Sequence, residues 1–154
     1  MSKTVNKAQN QIKQLVISAI EKAQEKELLV RAEAPAFGVE VPADRANGDF
    51  STNAAMVGAR AFRLSPRKIA MVNAKIYRLP PRKIAEAICD NMKLDGTYFE
   101  KVEIAGPGFI NFFLCDDYYS DILLEINEAG DSYGRSDYGK GKSINVEFVS
   151  ANPT

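Results

Sequence analysis

The stretch Lys101–Leu114, KVEIAGPGFINFFL, leaves this chain few ways to fold. Val102 and Ile104, then Ile110, Phe112 and Leu114, alternate with their neighbours at the two-residue period of a pleated strand. Gly106-Pro107-Gly108 lies between the two runs and supplies a tight turn, because Gly takes positive φ and Pro fixes its own φ. Two antiparallel strands follow from that pattern. Ile110, Phe112 and Leu114 share a face suited to a core, and Phe109, Asn111 and Phe113 share the other. A ring and an amide two residues apart, beside a Gly-rich turn, can stack on an unpaired base and hydrogen-bond its edge. The same spacing also fits a sheet covered on both faces, with Asn111 satisfying a neighbouring backbone group.

The rest of the chain reads mainly as helices around this hairpin, so the expected class is α+β: a small antiparallel sheet packed with several helices. Val5, Ala8, Ile12, Leu15, Val16, Ala19, Ile20 and Ala23 recur at three-to-four spacing, an amphipathic helix over 3–26. Residues 37–42 alternate like a short strand closed by Pro42, and 43–50 is a loop with a turn at Asn47-Gly48-Asp49. Ser51-Thr52-Asn53 is read as a helix cap, with a helix from Ala54 to about Leu64. Ser65-Pro66 restarts a second helix to Arg78, and Pro81 opens a third to Met92, with Ile84, Ala87 and Ile88 facing inward. After the hairpin, Asp116 or Asp117 caps a further helix whose stripe is Tyr118, Tyr119, Ile122, Leu123, Ile126 and Ala129. Gly130 ends it.

Within this helical region the chain repeats itself. Residues 55–69, AMVGARAFRLSPRKI, are followed at once by 70–84, AMVNAKIYRLPPRKI, identical at ten of fifteen positions. Two copies of so short a period do not make a solenoid, and tandem duplication of one segment accounts for them. The repeat nearly doubles the local basic residues. No acid occurs from Phe50 to Ala85, and no base from Val102 to Gly134. The two segments could offer a basic face to a polyanion or pair with each other within the fold.

The net charge is nevertheless zero, and the chain of 154 residues, 45% hydrophobic, is large enough for one real core. There is no histidine, which removes Ser-His-Asp and Cys-His catalysis and H-E-x-x-H metal sites together. Cys89 and Cys115 lack C-x-x-C spacing, so no metal site or disulfide framework is indicated. No apolar run approaches a membrane helix, and the expected location is cytoplasmic. Asp131–Lys142 is a Gly-rich loop. Its Gly134-x-x-x-x-Gly139-Lys140 lacks the Ser or Thr of a P-loop, and a strand follows it instead of a helix. Ser143–Val149 alternates as that strand. It stands at the start of a second, truncated domain, giving an organisation of 1–140 and 141–154.

Three pieces in this order carry a family resemblance: Gly48-Asp49-Phe50-Ser51-Thr52-Asn53-Ala54-Ala55-Met56, then Val102 to Phe112, then Val146-Glu147-Phe148-Val149-Ser150-Ala151-Asn152-Pro153-Thr154. The chain resembles the N-terminal part of a bacterial arginyl-tRNA synthetase, along essentially its whole length. The resemblance implies an additional N-terminal domain that contacts the outer corner of tRNA and reads a D-loop base. Phe109 and Asn111 match the base-reading positions, and Ala105 or Gly106 falls where some members carry an asparagine. Arg67, Lys68, Arg82 and Lys83 would hold phosphates. Glu147, Ser150 and Asn152 match residues that hold the arginine substrate in the full enzyme, where a carboxylate suits a guanidinium. The parent would use ATP with Mg²⁺. The H-x-G-H element that binds ATP is absent here, so this stretch alone is expected to be inactive, without catalytic residues, metal or cofactor of its own. The family carries the repeated segment once, and the sequence leaves open which copy takes its place.

Overall fold

A computed structural model of the chain describes residues 2–62 and 79–146. In chain order the described elements are α1 (Lys3–Glu25), β1 (Val39–Glu40), β2 (Phe50–Thr52), α2 (Ala54–Gly58), α3 (Pro81–Cys89), β3 (Phe99–Ala105), β4 (Phe109–Leu114) and α4 (Asp116–Ala129), with single 3-10 turns at Arg45–Asn47 and Gly130–Ser132. The fold class is α+β, as the sequence indicates. The hairpin forms as read, and β4 becomes an inner strand of a four-stranded antiparallel sheet of order β1-β2-β4-β3.

The alternation in β4 decides which face is covered. Ile110 and Phe112 are fully buried, beside Phe50, Thr52, Val102 and Ile104 in register. The Phe99 ring meets those of Phe50 and Phe112 edge-on, with centroids 6.3 and 5.2 Å apart. Helices α1 and α3 complete the core: Ala8, Ile12, Val16, Ala19, Ile20 and Ala23 from one, Ile84, Ala85 and Ile88 from the other. Pro81 stands in the first turn of α3, where its missing N–H leaves no bond unmade.

The N-terminus of α1 is closed twice. Ser2 Oγ accepts from Val5 N, and Glu125 of α4 reaches back across it. The Glu125 carboxylate accepts from Ser2 Oγ at 2.7 Å, Lys3 N at 2.8 Å and Thr4 N at 2.9 Å. These bonds, chiefly those to Thr4 and Ser2, hold its pKa down at about 2.

The structure places the two copies of the repeat. Residues 55–62 of the first copy enter the core through Ala55, Gly58 and Phe62, and residues 79–84 of the second through Leu79 and Ile84. Gly58 explains this arrangement. A Cβ there would stand 2.6 and 2.7 Å from Phe62 Cδ2 and Cε2. The second copy has Asn73 and Tyr77 at these two places. Its asparagine would collide with the ring, and its hydroxyl would enter the fully buried site of Phe62. Ala70 and Asn73 likewise follow the first copy where Ala85 and Ile88 follow the second, so only the second copy continues into an apolar helix face.

Several expectations are corrected. Ser51 and Thr52 do not cap a helix; they belong to β2, which pairs on both sides. Asn53 does take the N-cap position of α2, but no side chain bonds the helix end: Thr52 Oγ1 donates to Gly38 O at 2.7 Å, and Asn53 Oδ1 accepts from Gly38 N at 3.0 Å. The strand read over 37–42 is reduced to Val39–Glu40, and the helix from Ala54 ends at Gly58. The third helix ends at Cys89; Ile84, Ala87 and Ile88 face the core as read, Ala87 partly buried, and Ala85 joins them fully buried. Cys115, not an aspartate, takes the N-cap position of α4, while Asp116 and Asp117 occupy its first turn and suit the helix dipole. The apolar stripe of α4 is covered only through Tyr118 and Ile122; Tyr119, Leu123 and Ile126 are exposed, Leu123 by 65%. Residues 143–146 are not in a strand, and the rest of the strand read over 143–149 lies outside the described residues. The helix read over 66–78 and the segment 147–154 lie outside the described residues.

Candidate nucleic-acid interface

Because β4 alternates, Phe109, Asn111 and Phe113 come to the sheet face opposite the core. Register then sets a polar row across that face: Glu40 opposite Ser51, Ser51 opposite Asn111, Asn111 opposite Glu103. Phe109 stands opposite Ala105 and Phe113 opposite Lys101. Lys101 Nζ lies 4.4 Å above the Phe113 ring and 2.6 Å from Glu103. Phe109, Asn111, Ser51, Glu40, Asn47 and Gly106 line part of an open cavity of about 410 Å³. That volume lies in the usual range for small-ligand clefts.

Asn111 and Ser51 are 3% and 5% exposed. Ser51 Oγ donates to Asn111 Oδ1 at 2.8 Å. Asn111 Oδ1 is therefore satisfied by a side chain of the adjacent strand, not by the backbone.

The turn at the end of this face is fixed from below. Gly108 has φ +140°, and a Cβ on it would lie 2.9 Å from Pro81 C and 3.0 Å from Pro81 O. The absence of a side chain lets the hairpin seat on the start of α3. Arg82 Nη1, on that same helical turn, donates to Gly106 O at 3.2 Å. Lys83 Nζ pairs with Glu86 at 2.6 Å, and Arg82 Nε lies 4.0 Å from the same carboxylate. Both basic side chains are more than half exposed, so these pairs are weak and a phosphate can compete for the cations. Among the described residues no ion pair joins the basic segment 50–85 to the acidic segment 102–134.

Of the residues singled out from sequence, the structure gathers Phe109, Asn111, Gly106 and Arg82 around one end of the sheet, with Lys83 next along α3. Arg67, Lys68, Glu147, Ser150 and Asn152 lie outside the described residues. Ser51 and Glu40 were not anticipated. Alternation in β2 could have placed Ser51 on a sheet face, but three residues are too few to stand out from a cap signal. A second cavity, of about 610 Å³ between α1 and α4, mixes Lys3 and Lys7 with Asp121, Glu125 and Glu128 and favours neither sign of ligand. Among the described residues no cluster of three or more metal-ligating side chains occurs, and no helix is long and apolar enough to cross a membrane.

The molecule is thus an α+β unit whose four-stranded sheet packs its core on one face and carries on the other an open cavity, lined by the half-buried Phe109 ring and the buried, oriented Asn111 amide. The family model described as arginyl tRNA synthetase N terminal domain matches residues 10–72 and 68–114. The two matches overlap at the junction of the repeat, as expected where one family segment occurs twice. Arginine–tRNA ligase of Caldanaerobacter subterraneus subsp. tengcongensis is 43% identical over all of this chain, which covers 25% of that protein. The ligase of Acetivibrio thermocellus is 40% identical over all of this chain, covering 25% of its own length, and that of Listeria monocytogenes 42% identical over 93%, covering 22%. The crystal structure of arginyl-tRNA synthetase from Plasmodium falciparum aligns with 77% of this chain and 18% of its own, at TM-score 0.50 and 23% identity, a likeness of fold. The chain belongs to the arginyl-tRNA synthetase N-terminal domain family. It spans about a quarter of the length of the ligases it matches.

Proposed function

We propose that this chain is the tRNA-binding part of an arginine–tRNA ligase and that its open sheet face reads one unstacked base of the D-loop. The observation that carries the reading is Phe109 and Asn111 side by side on a cavity, with the exposed Arg82 of α3 bonded to Gly106, which lines it. The ring is a stacking platform, the amide meets the base edge, and Arg82 and Lys83, with Arg67 and Lys68, hold phosphates of the outer corner. In the longer enzyme Glu147, Ser150 and Asn152 hold the arginine, and ATP with Mg²⁺ drives its attachment to tRNA. No described residue is assigned to ATP or Mg²⁺. The chain by itself does not charge tRNA, and its setting is the cytoplasm.

A second reading, a structural domain that binds no RNA, draws on the burial of Asn111 and its bond to Ser51. A salt titration separates the two. The chain is titrated with an arginine-accepting tRNA and with the same tRNA changed at the D-loop base. Base reading requires that binding fall with salt and fall again for the altered tRNA. Equal binding of both leaves only phosphate contacts. No binding at low salt supports the structural domain.

A further inference from the structure

The Asn111 amide has two ends, and the structure commits one of them. Its Oδ1 accepts the Ser51 hydroxyl at 2.8 Å. Its Nδ2 meets no partner among the described residues. The only fully enclosed side-chain polar atom left unpaired among them is Asn91 Oδ1, so Asn111 Nδ2 retains access to the cavity that Asn111 lines. An amide free to turn could present either a carbonyl or an NH₂ to a ligand, which would blur what it reads. Ser51 stands directly opposite Asn111 in the β2–β4 register, on a backbone paired on both sides, so its hydroxyl is held where the amide must meet it.

We propose that Ser51 is a positioning residue of this site: it occupies Asn111 Oδ1 and leaves the Nδ2 donors for an acceptor, a ring nitrogen or carbonyl oxygen, on an unstacked base. The inference rests on the base-reading function proposed above. Ser51 touches no base itself; it acts through Asn111. Removing its hydroxyl frees the amide to turn and costs discrimination, while the Phe109 platform still holds any base with equal strength.

The test uses the full chain and two tRNAs, the arginine acceptor and its D-loop base variant. Binding is measured for Ser51→Ala, Asn111→Ala, the double variant and Phe109→Ala, with thermal unfolding of each. Ser51→Cys keeps the side-chain shape while replacing the hydroxyl by a slightly larger, weak donor, and serves if Ser51→Ala does not fold. The expected result is a 3–10-fold loss of discrimination between the two tRNAs in Ser51→Ala or Ser51→Cys. Asn111→Ala loses at least as much, and the double variant loses no more than Asn111→Ala alone. Phe109→Ala weakens both tRNAs together. Full discrimination in the Ser51 variants, with Phe109→Ala impaired, overturns the role of Ser51 and leaves the base site standing. Additive losses in the double variant also overturn it, because Ser51 would then act independently of Asn111. Unchanged binding in Phe109→Ala overturns the base site and this proposal with it.

Discussion

Two deletions that yield chains of equal length should differ sharply in stability. Removing residues 70–84 keeps the first copy of the repeat, with Gly58 and Phe62. Removing 55–69 keeps the second, with Asn73 and Tyr77 in their places. A Cβ at the Gly58 position would stand 2.6 Å from the Phe62 ring, and overpacking of that kind costs about 1–3 kcal/mol. Phe62 is fully buried, so a tyrosine hydroxyl there costs another ~1–3 kcal/mol without a partner. Together the second deletion should be less stable by about 3 kcal/mol. At a urea dependence of ~2 kcal/mol per molar, its midpoint falls about 1.5 M lower. Restoring Asn73→Gly and Tyr77→Phe in that variant should recover most of the difference. Equal midpoints, or the reverse order, would refute the claim that this ring-on-glycine contact selects the copy.

Other expectations concern the sheet face and the helix ends. Phe109→Ala should weaken tRNA binding by roughly 1–3 kcal/mol, as for a lost stacking platform, with the circular dichroism spectrum unchanged. Gly108→Ala should destabilise by roughly 2–4 kcal/mol, since φ +140° and a backbone 2.9 Å away both oppose a Cβ; chemical denaturation measures it. Glu125 is held at about pKa 2, below the ordinary carboxylate value of 4.5. Its contribution is therefore whole above pH 4.5 and is lost as pH falls toward 2. Over that window the native chain should lose more stability than Glu125→Gln, as melting temperatures taken at each pH would register.

The hairpin, α1 and the opening of α3 were legible because each writes its period or its proline locally. Phe109 and Asn111 were legible for the same reason: strand alternation alone puts them on one face. Ser51 was not, because its place depends on β2 finding β4, a pairing 60 residues apart that no local pattern encodes. The cap signal of Ser51-Thr52-Asn53 was real chemistry put to another use, with Thr52 and Asn53 bonding to Gly38 in place of a helix end. The choice between copies was out of reach of pattern, since both halves carry nearly the same apolar spacing. What separates them is the buried ring packed on Gly58 at one end and the apolar helix face that follows Ile84 at the other. On α4 the periodicity was present, but it reports an apolar stripe and not what covers it.

The clasp of Glu125 on the start of α1 joins positions 121 to 123 residues apart. Closing so long a loop is unrewarded until the sheet and α1 have already met, so the order of assembly is constrained. On this argument α4 should dock last and leave first. Weakening the clasp should quicken unfolding and leave the refolding rate nearly untouched, the signature of contacts formed after the transition state.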